Sequence, residues 1–258
     1  MEDYHVVCLC PTYGRPNLLA EAVQCFLCQD YQNKELIILN DQKGVNLHLS
    51  ESFSNITIIN YDKRFDSLGE KRNYLNQLGL EHEGDMFCIW DDDDLYTPWR
   101  ITESVQAMIN DNSDIVKTKF AFMSIDNKNY KVVSNLFHSQ ACISKQYIKQ
   151  NRYPAISVGE DVEFEKNAMI KARSCFPCLW YIYRWGMNIH HLSGISNEKH
   201  SWEKSLYFEP YNQYEGDIEV KPYFKNDYWQ DIELFLDKNN SNNFVKHWTR
   251  QIKESARN

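Results

Sequence analysis

The stretch Met86-Phe87-Cys88-Ile89-Trp90-Asp91-Asp92-Asp93-Asp94-Leu95-Tyr96-Thr97-Pro98 sets four consecutive carboxylates directly behind an apolar run. Four adjacent anions repel one another unless a cation sits among them. Hard divalent ions take oxygen ligands of this kind, and Mg²⁺ typically uses one or two carboxylates plus substrate phosphates. The bland alternative is a solvated acidic turn, but such turns rarely follow a fully apolar strand without a break. A metal–phosphate site is therefore expected here.

Three further groups carry chemistry. Gly159-Glu160-Asp161-Val162-Glu163 is a second acidic constellation. A carboxylate in the first turn of a helix is favoured by the helix dipole, and one that faces a cleft can serve as a general base. For Asp161 the plain alternative is an N-cap. His190 and His191 lie on a loop flanked by Gly186 and Gly194, where a neutral imidazole can reach a metal; a structural role is the alternative. Lys71 and Arg72 fall in the first turn of a helix opened by Gly69. Cations there oppose the dipole, which implies a nearby anion, and phosphate held by backbone N–H groups and an Arg fork is one such anion.

These residues need a scaffold that brings strand ends together. Apolar patterning predicts strands over His5–Cys10, Leu36–Leu39, Ile56–Asn60 and Met86–Trp90. Pro11 to Pro16 reads as a rigid loop after the first strand. A helix follows, with Asn17 as N-cap and Leu18, Leu19, Ala22, Val23, Phe26 and Leu27 on one face. This β-α-β-β opening with polar strand tips points to an α/β nucleotide-binding sheet, whose ligands sit at the carboxyl ends of the strands. Later elements are a helix over Ile101–Ile109, strands over Asp114–Met123 and Lys131–Asn135 joined by a turn at 127–129, and a strand over Gln140–Ile143. A helix over Lys145–Gln150, a helix over Glu165–Ala172 and a strand over Trp180–Trp185 follow. Beyond His200, aromatic residues from Trp202 to Trp229 come at irregular spacing, with helices expected over Asp227–Asp237 and Phe244–Glu254. That tail is expected to pack on the main domain.

With 258 residues the chain can bury a good core as one large domain or one domain with an appended piece. A net charge of −8 argues against a protein that coats nucleic acid non-specifically. No apolar run approaches the roughly 20 residues of a membrane span, and the N-terminus lacks signal-peptide features, so a cytoplasmic enzyme is expected. The eight cysteines include Cys25-x-x-Cys28 and Cys175-x-x-Cys178, the arithmetic of a four-thiolate zinc site. The pairs are far apart and the first lies in a helical pattern, whereas zinc knuckles pair closely on loops. Reduced thiols are the expectation, with Cys8, Cys10 and Cys88 acting as small buried hydrophobes.

The series Pro11-Thr12-Tyr13-Gly14-Arg15-Pro16, Asp41, Gly69-x-x-Arg72-Asn73, Asp91-x-Asp93-Asp94-x-x-x-Pro98 and Gly159-Glu160-Asp161 occurs in fixed order. Over residues 4 to 195, roughly, the chain resembles family 2 glycosyltransferases of the GT-A fold. The resemblance implies a Rossmann-like, mostly parallel central sheet flanked by helices. It implies a domain at 1–195, its nucleotide-binding half about 1–98 and its acceptor half about 99–195; the aromatic-rich C-terminal extension at 196–258 is read from its residues alone and inherits nothing from the family. Pro11, Thr12, Tyr13 and Arg15 would surround the nucleoside of a sugar-nucleotide donor, and Asp41 would bond its base, commonly uracil. Arg72 would hold the base or diphosphate, Asp91, the first carboxylate of the family's D-x-D motif, would meet the ribose or the metal, and Asp92 would join the donor contacts. Asp93 would coordinate Mn²⁺ or Mg²⁺, with His191, or its neighbour His190, as a further metal ligand. Asp161 matches the catalytic base of inverting members.

The implied activity is metal-dependent, inverting transfer of a sugar, from a UDP-sugar first of all, to a hydroxyl acceptor. A saccharide acceptor comes first, and a hydroxymethylated base in DNA is a rarer one, reached by base flipping. Lys145, Lys149 and Arg152 are too few to make a DNA groove. Two alternatives compete. A nucleotidyltransferase should carry a Gly-rich basic loop after the first strand. A non-catalytic sugar-nucleotide binding module would be indifferent to loss of Asp161.

Overall fold

The computed structural model describes residues 4–124, 130–173, 180–184, 214–228 and 230. His190, His191, Cys175, Cys178, the turn at 127–129, Trp185, most of the aromatic tail, the expected helix over Phe244–Glu254 and all but residues 227, 228 and 230 of the one over Asp227–Asp237 lie outside them.

The first strand, β1 (Val6–Thr12), is buried throughout and extends through Pro11 and Thr12, which were expected in the loop. Proline is tolerated there because the ladder to β5 ends at Leu9–Ile89, so its missing N–H breaks no bond on that side. Helix α1 (Pro16–Leu27) starts one residue before the expected cap. Pro16 stands in the first turn, where its fixed φ suits a helix start, and Asn17 donates instead to the Tyr214 hydroxyl at 2.9 Å. β2 (Lys34–Asn40) and β4 (Ile56–Asn60) bracket β3 (Val45–Leu49), a strand that the patterning did not announce. Helix α2 (Leu68–Glu81) is capped by Ser67, whose side chain accepts from the Glu70 N–H.

β5 (Met86–Ile89) leads through the acidic residues to the short β6 (Leu95–Tyr96) and α3 (Arg100–Asp111). The long strand expected over Asp114–Met123 is two strands, β7 (Ile115–Thr118) and β8 (Phe120–Ser124), split at Lys119 because they enter different sheets. β9 (Tyr130–Ser134), a single 3₁₀ turn at His138–Gln140, β10 (Cys142–Ser144) and α4 (Lys145–Gln150) follow. The helix expected over Glu165–Ala172 is displaced. Helix α5 spans Glu160–Glu165, and Ile170–Arg173 forms β11, whose pairing with β7 outweighs the helical propensity of its residues. β12 (Tyr181–Arg184) and β13 (Gly216–Val220) complete the described strands.

Seven strands form the main sheet in the order β11-β7-β10-β5-β1-β2-β4, parallel except for β10, which runs against both neighbours. A four-stranded sheet, β6-β12-β8-β9, stands beside it, and β13 pairs with β3 in a separate parallel ribbon. Alternation along the strands divides the core. Val6, Cys8, Cys10, Leu36, Ile38 and Cys88 face α1 and α3, while Val7, Leu9, Ile37, Leu39, Phe87 and Ile89 face α2, α4 and α5. A sheet apolar on both faces and covered by helices is the α/β arrangement that the sequence implied. The described cysteines, Cys8, Cys10, Cys25, Cys28, Cys88 and Cys142, are free thiols, and Cys25 is buried within α1.

Gly69 sets how closely α2 approaches the loop before α5. A Cβ there would lie 1.8 Å from the Pro154 carbonyl oxygen, and the Gly69 N–H donates to the Ile156 carbonyl at 3.0 Å. Gly69→Ala should therefore push the 154–156 segment off α2 and cost about 1–3 kcal/mol. Calorimetry should show a lower Tm, and an unchanged Tm would contradict this close approach.

Candidate active site

The four carboxylates leave β5 with side chains alternating between two environments. Asp91 and Asp93 are partly open, with side-chain exposures of 17% and 14%, whereas Asp92 is fully buried. Asp94 is buried as well. Asp91, Asp92 and Asp94 answer to different elements. Arg72 on α2 donates through both terminal nitrogens to Asp91, at 3.2 and 3.3 Å, and the Ser139 hydroxyl adds a 2.6 Å bond. Burial pushes the Asp91 carboxyl up, but Arg72 and Ser139 outweigh it and bring it down to about 2.

Asp92 turns inward. Arg15 grips both of its oxygens through Nε and Nη2, and the Thr12 hydroxyl donates at 2.5 Å. Burial pushes Asp92 up to about 6, Arg15 opposing and the Asp93 charge adding. Arg15 Nη1 also lies 3.4 Å from Asp93. Asp94 accepts from the Tyr181 hydroxyl and from the Arg184 N–H at 3.1 Å; burial, then the charge of Asp93, raises its pKa.

Asp41 follows β2 and is buried. Lys71 Nζ donates to it at 2.5 Å and to the Thr12 carbonyl at 2.5 Å, and the Phe65 N–H donates to its other oxygen at 3.0 Å. Burial lowers the Lys71 pKa, with Asp41 opposing. The anions implied by Lys71 and Arg72 thus include the protein's own carboxylates, Asp41 and Asp91. Tyr13 lies under the Arg64 guanidinium, 4.6 Å from ring centroid to Cζ.

On the opposite wall, α5 begins after Gly159 in a left-handed conformation (φ 77°). Glu160 is buried beside Arg72 Nε at 3.5 Å. Asp161 accepts from the Val162 N–H at 2.9 Å. The helix is fastened from below through Glu165, which accepts from Lys117 at 2.5 Å and contacts His138 Nδ1 at 2.6 Å. The Tyr153 hydroxyl lies 2.9 Å from His138 Nε2. Burial lowers the His138 pKa, and a neutral ring donating from Nδ1 to Glu165 and accepting from Tyr153 satisfies all three groups.

These walls enclose one cleft of about 620 Å³, lined by Pro11, Thr12, Tyr13, Arg15, Asp41, Arg72, Asp91 to Asp94 and Asp161, a volume suited to a small-molecule ligand. Phe137 and Tyr183, stacked at 4.4 Å, form its aromatic side. The structure therefore brings together every site residue singled out in the sequence except His191 and its neighbour His190, which are outside the described residues. Sequence reasoning missed Ser139, His138, Tyr181 and Arg184. Ser139 sits in an unpatterned stretch that carries no signal, and Arg184 looked like one residue of an aromatic strand.

The family model for glycosyl transferase family 2 matches residues 8–172. The chain belongs to that family. Residues 8–172 are thus a glycosyltransferase domain, and they contain the β1 tip, the acidic tip and α5. No curated protein matches the sequence. Among solved structures, the fold is similar to S. aureus TarS 1–349 in complex with UDP, with TM-score 0.53 and 15% identity over 69% of this chain and 60% of that one. The same TarS piece in complex with UDP-GlcNAc gives TM-score 0.52 and 12% identity over 97% of this chain and 71% of that one. Against the longer TarS chain the TM-score is 0.52 at 15% identity, over 69% of this chain and 36% of that one. At these identities the likeness is one of fold, and this chain spans only part of the TarS chains.

Removing Arg15 would leave Asp92 buried without its cation. Arg15→Leu should cost about 3–5 kcal/mol. A buried acid with a raised pKa destabilises the fold as pH rises through that value, so the loss should be larger at pH 8 than at pH 5. Urea unfolding at the two pH values checks both the size and the sign.

Proposed function

We propose that this chain is a divalent-metal-dependent, inverting glycosyltransferase that moves a sugar from a nucleotide donor, a UDP-sugar first of all, to a hydroxyl acceptor. The observation that carries the reading is the alternation at the acidic tip. Asp91 and Asp93 present oxygens to the same cleft whose far wall carries Asp161, while Asp92 and Asp94 hold the tip in place. Hard carboxylate oxygens suit Mn²⁺ or Mg²⁺, which commonly take one or two carboxylates and complete the shell with phosphate and water. Among the described residues no three ligating side chains converge, so the rest of the cation's shell would have to come from donor phosphate, water and His191 or His190. Such a cation would offset the negative charge that develops on the departing diphosphate. TarS structures with UDP and UDP-GlcNAc support the choice of donor.

On this reading residues about 1–98 bind the donor and about 99–195 receive the acceptor. Pro11, Thr12 and Tyr13 flank the nucleoside. Asp41 keeps lone pairs for a base N–H beyond those used by Lys71 and Phe65. Arg72, whose two terminal nitrogens already hold Asp91, keeps further N–H hydrogens on them for the base or diphosphate, and Arg15 holds Asp92 so that Asp93 faces the cleft. Asp161, at the open edge of α5, takes the proton of the acceptor hydroxyl as its oxygen attacks the anomeric carbon from the face opposite the leaving diphosphate. Phe137, Tyr181 and Tyr183 offer an aromatic wall, on which a saccharide acceptor can lie.

Purified protein should release free nucleotide from one member of a UDP- and GDP-sugar panel with Mn²⁺, and chelator or Asp93→Ala should abolish the release. Asp161→Asn should lower transfer about 10²- to 10⁴-fold while donor binding, measured by calorimetry, stays. Full turnover by Asp161→Asn would remove the base from this scheme, and binding without turnover by the wild-type chain, with any acceptor, would favour a binding module.

A further inference from the structure

A second charge pair reaches the acidic tip from behind the cleft. Arg184 ends β12 and is 1% exposed; Glu21 lies on α1 and is 2% exposed. Arg184 Nη1 donates to Glu21 Oε2 at 2.6 Å. The other Glu21 oxygen accepts from the Tyr228 hydroxyl at 2.6 Å and from the Lys225 N–H at 2.8 Å. Another edge of the same guanidinium points at the tip, with Nε donating to the Asp93 carbonyl oxygen at 2.6 Å. The Arg184 backbone N–H adds the bond to Asp94.

A buried ion pair is a poor device for stability alone, since well-packed apolar residues of the same volume do as well or better. A planar guanidinium with donors in fixed directions is instead good at setting geometry. Here it sets the backbone of one residue, Asp93, whose side chain faces the cleft. The anchor of that guanidinium is in turn held by the 225–228 segment, which lies beyond the part of the chain matched by the family model.

We propose that Glu21 and Arg184 are positioning residues for Asp93, and that Tyr228 ties the C-terminal region to the donor site through them. The inference rests on the reading of Asp93 as a metal ligand given above. Displacing the Asp93 backbone should weaken the metal site and slow transfer without altering the nucleoside contacts at Tyr13 and Asp41, which lie on other elements.

Three variants test this: Arg184→Lys keeps the charge and loses the Nε donor, Glu21→Gln keeps the shape and loses the charge, and Tyr228→Phe removes one hydroxyl. Mn²⁺ affinity is read by electron paramagnetic resonance of the free ion, UDP affinity by calorimetry in chelator, and kcat and KM by nucleotide release. Arg184→Lys and Glu21→Gln should weaken Mn²⁺ binding about 10- to 100-fold and lower kcat, while UDP affinity in chelator stays as in wild type. Tyr228→Phe should move Mn²⁺ affinity and kcat in the same direction by less, which keeps the test valid if either charge variant fails to fold. Wild-type Mn²⁺ affinity and kcat in folded Arg184→Lys and Tyr228→Phe would overturn the inference. If Asp93→Ala abolishes Mn²⁺ binding in that same set, only this inference fails. If the wild-type chain binds no Mn²⁺, the metal reading and this inference fail together.

Discussion

Four carboxylates in succession can share one strand end only if donors from around the cleft answer them, and most of the architecture there can be traced to that demand. Arg72 comes from α2, Arg15 from the loop before α1, Tyr181 and Arg184 from β12, and Ser139 from the 3₁₀ turn. No two of these elements adjoin in sequence. Unlike charges brought into a low-dielectric interior attract strongly, but each also loses its hydration, so the arrangement holds only where geometry and extra hydrogen bonds are good. The buried contacts of Asp92 and Asp94 meet that condition, and they leave Asp91 and Asp93 as the residues with open faces.

Beneath the tip, Arg100 does similar work without a carboxylate. It is fully buried and lies 4.8 and 4.1 Å from the ring centroids of Trp90 and Tyr96. Its Nη2 donates to the carbonyls of Ile89 and Ser139 at 2.5 and 2.9 Å. The charge is spread over two aromatic faces and those carbonyl oxygens, which fastens the end of β5 to the turn that carries Ser139. The hydroxyl that bonds Asp91 is thus placed by a cation that never enters the cleft.

Much of this was legible in the amino-acid order, and the division has a physical basis. β1, β5 and α1 follow from local patterns, a short wholly apolar run bounded by turn signals for the strands and apolar residues at helical spacing for the helix. The acidic tip was legible because four adjacent aspartates are rare behind an apolar strand. β3 escaped notice because its partner, β13, lies far down the chain. The displacement of α5 and the strand character of Ile170–Arg173 escaped for a related reason: a free edge at β7 decides the matter, and that edge exists only once the sheet is built. Within the site, residue identities were readable but their partners were not. Lys71 and Arg72 announced an anion, and only the fold shows that Asp41 and Asp91 answer them.

The break at Lys119 has a mechanical meaning. β7 belongs to the large sheet and β8 to the small one, and a single residue joins them, its N–H held by the Arg173 carbonyl at 2.7 Å. The small sheet also carries β12, and with it Tyr181, Tyr183 and Arg184. The joint is not the only tie, because β6 follows Asp94 directly and pairs with β12 at Tyr96–Tyr181 and Leu95–Ile182. Held at Lys119 and again at Leu95, the small sheet keeps its aromatic wall in one backbone register with the acidic tip, so a substitution that shifts β12 is felt at Asp94 as well.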